Sequence, residues 1–330
     1  MPARTITVAS LFTSCLLTAA MGTGCSEGSP SSAEAERRAA APALDKAQAQ
    51  RILDSYADGA NRVRRKLNRG ALAGIEADPQ LSMDDASLKL RRVIKRPPPE
   101  VKFSNTTFYI PRVSGYPHWF AAGAVTGQGK RSMRHALLFT QAKPGAPWLL
   151  TANPYPTSDA LSTVALDPDG YATPVEPDEK NGLATAPGKL PEAHAALLTD
   201  GPGASKASLL ADGAQTSETY KALKQGEQTL AGRGVTLSSR FSPTRYRVFA
   251  LRTKDRGALV WYVLKQNEAY SSSKRGQLAV GGDLLGLAPV KAARTRMDTT
   301  VLVQYLAAVP PKGRATVTGM YRKAVIAHGT

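Results

Sequence analysis

The sequence predicts an α+β fold in two similar halves, each with N-terminal helices packed on a curved antiparallel sheet. Three observations predict it. Helical periodicity comes first in each half, over residues 44–92 and 191–230, and strand-like runs follow over 103–150 and 235–327. Helices followed by runs of strands argue for α+β organisation rather than alternating α/β. A Pro-rich, acidic stretch over 152–190 separates the two runs, and 330 residues suffice for about two folded units. A hydrophobic fraction of 42% excludes a wholly disordered or collagen-like chain.

The first 24 residues read as an export signal rather than as fold. Arg4 is the one charge before an apolar run from Ile6 to Ala20. That run is shorter than the roughly 20 residues a membrane-crossing helix needs. Small residues and a cysteine follow, as Gly22-Thr23-Gly24-Cys25-Ser26. This resembles the signal of bacterial lipoproteins, in which the Cys becomes the lipidated first residue. It departs from the usual pattern at Gly22, where a larger apolar residue is common. The resemblance implies lipidation of Cys25, membrane lipid as partner, and a place on the outer face of the cytoplasmic membrane; ordinary secretion is the alternative. Cys15 lies inside the apolar run, so no disulfide is expected. Residues 25–43, rich in Ser, Ala and Glu, read as a disordered tether.

The first half is expected over 44–151. Leu53, Tyr56, Ala60, Val63 and Leu67 recur at steps of three and four, predicting a helix from Leu44 to Arg69 that stops at Gly70. Arg62, Arg65, Lys66 and Arg69 form a separate cationic stripe on it, a candidate polyanion-binding face. Ser82 is placed to cap a second helix ending near Arg92, before Pro97-Pro98-Pro99. Strands follow at 103–110, 119–125, 136–139 and 148–150. Residues 152–190 read as a crossing between the halves, with a turn at Asp167-Pro168-Asp169-Gly170 and one short strand at 162–166.

The second half, 191–330, repeats the order. Helices are expected at 191–198 and 217–230, then strands at 235–240, 246–253, 259–265, 277–280, 299–307 and 315–327. A hairpin over 245–266, turning at Asp255-Arg256-Gly257, is the expected centre of a second core. This order of elements resembles the cone-shaped α+β fold of the nuclear-transport-factor-2-like superfamily. The whole chain is also similar to uncharacterised lipoproteins of high-GC Gram-positive bacteria, which implies a place and no activity.

Charge and chemistry narrow the function. With 43 Lys+Arg against 26 Asp+Glu the formal charge is +17, concentrated at 37–102 and 221–275. Export argues against nucleic acid and toward anionic lipid, wall polymers or another envelope protein as partners. His118, His135, His194 and His328 show no metal-ligand spacing, so no metal and no cofactor is expected, and His194 reads as a surface residue. There is no Gly-x-Ser-x-Gly elbow and no phosphate-binding Gly-rich loop, so no catalytic residue is assigned. Tyr116, His118 and Trp119 gather polar-tipped rings at a strand entrance, a candidate ligand rim. The expectation is a lipid-anchored, non-enzymatic binding or scaffolding module. A polyanion binder and a small-molecule binder or enzyme using the His118/Trp119 region are the alternatives.

Overall fold

The computed structural model describes residues 41–275, 278–289 and 295–330. Cys25 therefore lies outside the described residues. So does Gln277, the first residue of the strand expected at 277–280; the rest of that segment is not a strand.

Helix α1 (Lys46–Lys66) opens on a capping box, in which Asp45 and Gln48 each accept the other's backbone N–H at 2.7 Å. Its buried stripe runs through Ala49, Leu53, Tyr56, Ala60 and Val63, as the periodicity requires. The helix stops earlier than expected. Leu67, not Gly70, takes the left-handed conformation (φ 47°), and residues 69–74 form a 3-10 turn. Helix α2 (Gln80–Val93) also begins before the expected Ser82 cap. Asp78 performs the capping, accepting the Ser82 backbone N–H at 3.1 Å and hydroxyl at 2.6 Å.

Strands β1 (Ser104–Tyr109), β2 (His118–Thr126), β3 (Met133–Gln141) and β4 (Leu149–Ala152) form an antiparallel meander in that order. After a two-residue strand β5 (Tyr155–Pro156) come α3 (Leu190–Asp200) and α4 (Ser217–Ala231). The second sheet has the order β5-β10-β9-β8-β6. It contains β6 (Val235–Pro243), β8 (Ala258–Ser272), β9 (Arg296–Val309) and β10 (Thr316–Gly329). Strand β7 (Phe249–Arg252), shorter than the expected 246–253, pairs with the first residues of β8, and β6 pairs with the rest. The halves thus share the order helices-then-strands but differ in strand number, and β5 ties the first half into the second sheet. At that join Gly319 is required: a Cβ there would sit 2.7 Å from the Pro156 backbone.

Strand periodicity then sets the layers. On β2 and β3, Phe120, Ala122, Leu137 and Phe139 face α1 and pack on Leu53 and Tyr56. Their neighbours Trp119, Ala121, Ala136 and Leu138 face the other way, onto Leu251, Leu259, Trp261 and Leu306 of the second sheet. The opposite face of that sheet, with Val260, Tyr262, Leu264, Val303 and Tyr305, is covered by Leu190, Ala193, Leu197 and Leu198 of α3. The result is four layers in the order helix, sheet, sheet, helix.

The halves do not each enclose a separate core; they share the layer between the sheets. Hairpin β7–β8 is accordingly not the centre of one core but the wall between two, with alternate residues in each. The stretch 152–190 contributes to both: Ala160, Leu161, Val164 and Ala172 lie between the sheets, and Val175 and Leu183 lie under α3. Its expected strand at 162–166 is a 3-10 turn at 160–163 followed by single bridges at Val164 and Leu166.

Candidate ligand groove between the sheets

Where the sheets diverge they leave two adjoining cavities. The first, of 350 Å³, is lined by Tyr116, Pro117, Trp119, Glu176, Arg247 and Phe249, among others. The second, of 280 Å³, has Leu138, Thr140, Ala142, Tyr246 and Trp261 in its wall and shares Pro117, Arg247 and Phe249 with the first. Together they form a groove with aromatic walls and a cationic mouth, in the size range of small-molecule sites.

Each wall residue is placed by the fold. Trp119 is the second residue of β2, so its indole points between the sheets; it is 3% exposed and lies 5.1 Å from the Phe249 ring. Trp261 on β8 faces it from the other sheet and donates its indole N–H to the Ala136 carbonyl at 3.0 Å. Arg247 stands over the Phe249 ring at 5.6 Å with Glu176 at 3.9 Å, and Arg245 beside it is exposed. The loop behind is pinned by Arg112, whose guanidinium donates to Asp167 at 2.9 Å and to Asp169 at 2.6 Å and covers the Tyr171 ring. Both carboxylates of the turn at 167–170 are therefore held by this arginine. Burial, then nearby Asp78, pushes the Tyr246 phenol above its usual range, so it enters the groove as a neutral donor.

Of the three residues expected at a ligand rim, the structure brings two into the lining, Tyr116 and Trp119. His118 alternates to the other side of the strand end and stacks on the Tyr116 ring at 4.1 Å, supporting the rim without lining it.

The cationic stripe fares differently. Arg69 lies beyond the end of α1 and pairs bidentately with Asp85 of α2, and Arg65 pairs with Glu100 at 2.8 Å. Arg62 and Lys66 are exposed. The stripe is thus broken, with two of its four members committed to neighbours.

His194 is a correction. It is fully buried under the second sheet, with Nε2 2.8 Å from the Gln215 carbonyl and Nδ1 2.8 Å from the Tyr262 hydroxyl. A carbonyl only accepts, so Nε2 carries the proton and the Tyr262 hydroxyl donates to Nδ1. Burial pulls the ring down to about 4, which keeps it neutral at physiological pH.

A buried polar seam joining α2 to both sheets went unread in the sequence. Gln304 of β9 accepts the Asn153 N–H at 2.6 Å and donates to Gln80 at 3.0 Å. Asn153 in turn meets His135 at 3.1 Å, and Thr126 meets the other ring nitrogen at 2.8 Å. Burial brings His135 to about 4 as well. Tyr56 donates to Glu76 at 3.2 Å. Glu76 is 2% exposed, and burial, then Asp84, raises its carboxyl well above the usual range. Residues scattered from 56 to 304 make this seam, so no local spacing could announce it.

A wider bowl of 830 Å³ lies at the far edge of the first sheet, lined by Thr107, Tyr109, Arg134, Asp159 and Lys254 among others. Burial, then Asp159, raises the Tyr109 phenol to about 12. Its wall mixes aliphatic side chains, Val125, Leu161, Val164 and Leu166, with Arg134, Asp159 and Lys254. The groove instead gathers Trp119, Phe249 and Trp261 beside its cations, the aromatic lining with a few polar groups common in small-molecule sites.

A family described as a domain of unknown function (DUF8094) matches residues 40–329. The chain belongs to that family. A single family match spans both sheets and the groove between them. An uncharacterized lipoprotein of Streptomyces avermitilis is 28% identical over 246 residues, covering 72% of this chain and 71% of that protein. An uncharacterized lipoprotein of Streptomyces coelicolor is 24% identical over 238 residues, covering 71% of this chain and 70% of that protein. No solved structure matches. Among the described residues no helix is long and apolar enough to cross a membrane, and no group of three or more His, Cys, Asp or Glu is placed to hold a metal ion.

Proposed function

We propose that the chain is a lipid-anchored envelope protein, on the outer face of the cytoplasmic membrane, that binds a small apolar anion in the groove between its sheets. The observation that carries the reading is the pairing of an aromatic cleft, between Trp119, Phe249 and Trp261, with the exposed guanidiniums of Arg245 and Arg247 at its mouth. An apolar ligand body would gain from leaving water, and a carboxylate or sulfonate would meet the cations. The role is binding without chemistry. In support, Tyr262 in the groove wall is committed to a hydrogen bond with the buried His194, whose other ring nitrogen meets the Gln215 carbonyl.

Anilinonaphthalene sulfonate, an aromatic anion that fluoresces out of water, tests the groove. Saturable binding to a single site is expected. Ala142→Trp, at an exposed position of the lining, and the double variant Arg245→Ala/Arg247→Ala should each weaken it about tenfold, roughly 1.4 kcal/mol. Unchanged affinity in both variants would refute the site.

The anchor rests on Gly22-Thr23-Gly24-Cys25 and on the lipoprotein relatives. Two acyl chains hold a protein stably where one does so marginally. Wild-type protein should stay in the membrane fraction after a high-salt wash, which strips electrostatic contacts, and Cys25→Ala should be released. Retention of Cys25→Ala with undiminished lipid labelling would defeat the anchor.

A further inference from the structure

The ends of α1 and α2 come together at one tip of the molecule. Arg92 of α2 donates to the carbonyl of Leu67, the residue that caps α1, at 2.7 Å. Arg64 reaches the Pro99 carbonyl at 3.3 Å, so the chain leaving α2 folds back along α1. Segments 62–69 and 89–96 carry ten cations between them and no acidic residue. Some of that charge is used internally: Arg69 and Lys89 share Asp85, and Arg65 meets Glu100. Arg62, Lys66, Lys95 and Arg96 remain exposed, with Arg91 half-buried beside them.

Among these cations sit two apolar side chains that the fold leaves in water. Val93 is 49% exposed and Ile94 38%, although they end a helix whose other face is buried. Lys95 follows with φ 52° and turns the chain, so Val93 and Ile94 lie exposed just before a sharp turn.

We infer that this tip docks on an anionic lipid bilayer, with Val93 and Ile94 entering the headgroup layer and the surrounding cations meeting lipid phosphates. The inference builds on the lipid anchor proposed above. A soluble phosphate polymer would satisfy the cations but would leave the apolar pair exposed. A bilayer rewards both, as for interfacial segments with an apolar face and a basic surround. The geometry permits anchor and tip to engage one surface. Helix α1 is 21 residues and about 31 Å long, and the chain enters it at the end away from the tip. The 20 residue-to-residue steps from Cys25 to Asp45 can span at most about 70 Å, which exceeds that length.

The test uses the chain from residue 25 onward carrying Cys25→Ala, so that neither an acyl group nor the apolar run at 6–20 contributes. Its partition onto phosphatidylcholine vesicles, with and without phosphatidylglycerol, is compared with two further variants. Arg91→Gln/Lys95→Asn/Arg96→Gln is expected to weaken binding to the anionic vesicles about 100-fold, near fivefold per cation. Val93→Ser/Ile94→Ser is expected to weaken it about tenfold. Both should keep the parent's melting temperature and its affinity for anilinonaphthalene sulfonate. Equal binding by all three proteins would overturn the docking surface. So would binding that Val93→Ser/Ile94→Ser leaves unchanged while soluble polyphosphate competes it away, because the partner would then be an anionic polymer. Failure of the anchor itself reads out separately, in the membrane fractionation of Cys25→Ala.

Discussion

Acidification from pH 6.5 to 4 is expected to remove several kcal/mol of the stability of the folded chain. His194 and His135 are held neutral at about 4 in the folded protein, chiefly by burial. In the unfolded chain they titrate near 6.5, so below that pH the unfolded state binds more protons and stability falls with pH. Their contribution is whole above 6.5 and is lost as pH drops toward 4. At about 1.4 kcal/mol per unit, a depression of this size is on the order of 3 kcal/mol for the fully buried His194. The less buried His135 contributes somewhat less. Together they come near the lower end of the 5–15 kcal/mol that typically holds a folded protein. Glu76 acts in the opposite sense: its raised carboxyl favours the folded state at low pH and costs stability as pH rises above the usual carboxylate range. The check is urea unfolding across this pH range with His194→Gln. Its amide can accept from Tyr262 and donate to the Gln215 carbonyl without titrating. That variant should lose about half of the pH dependence. A slope identical to wild type would contradict the assignment.

Trp261→Ala is expected to cost about 3–5 kcal/mol, the range for emptying a buried aromatic site. The indole is 2% exposed and fills the layer between the sheets, and its N–H is the direct bond from β8 to the Ala136 carbonyl of β3. Because both sheets draw on that layer, the loss should lower a single cooperative transition followed by near- and far-UV circular dichroism alike. Two separated transitions, with one sheet unaffected, would mean that the halves hold cores of their own.

Much of the secondary structure was legible because it rests on local signals. The stripe of Leu53, Tyr56, Ala60 and Val63 predicts α1, and the Asp255-Arg256-Gly257 turn predicts the β7–β8 hairpin, which the structure forms with Arg256 at φ 65°. Layering was harder to read. The unbroken apolar run Ala258-Leu259-Val260-Trp261-Tyr262-Val263-Leu264 marks a strand buried on both faces. Read as one hairpin of one core, it concealed the second sheet stacked against it.

His194 was misread beside Glu192, although Leu190, Leu197 and Leu198 share its helix face and carry it inward. Tyr116 and Trp119 were legible as a rim because aromatic rings cluster in sequence there. Arg245, Arg247 and Phe249 complete the groove from more than 120 residues away, and only the packing of the sheets brings them together.

Three tryptophans make the central claim directly measurable. Trp119 and Trp261 line the groove, whereas Trp148 lies on the α1 side of the first sheet, 5.3 Å from the Phe120 ring. Titration with anilinonaphthalene sulfonate, followed through the indole N–H resonances by NMR, separates the two faces. A ligand site between the sheets predicts that the Trp119 and Trp261 signals shift together and saturate while Trp148 stays in place. Movement of Trp148 alone, or no movement of any indole at saturating probe, would contradict it.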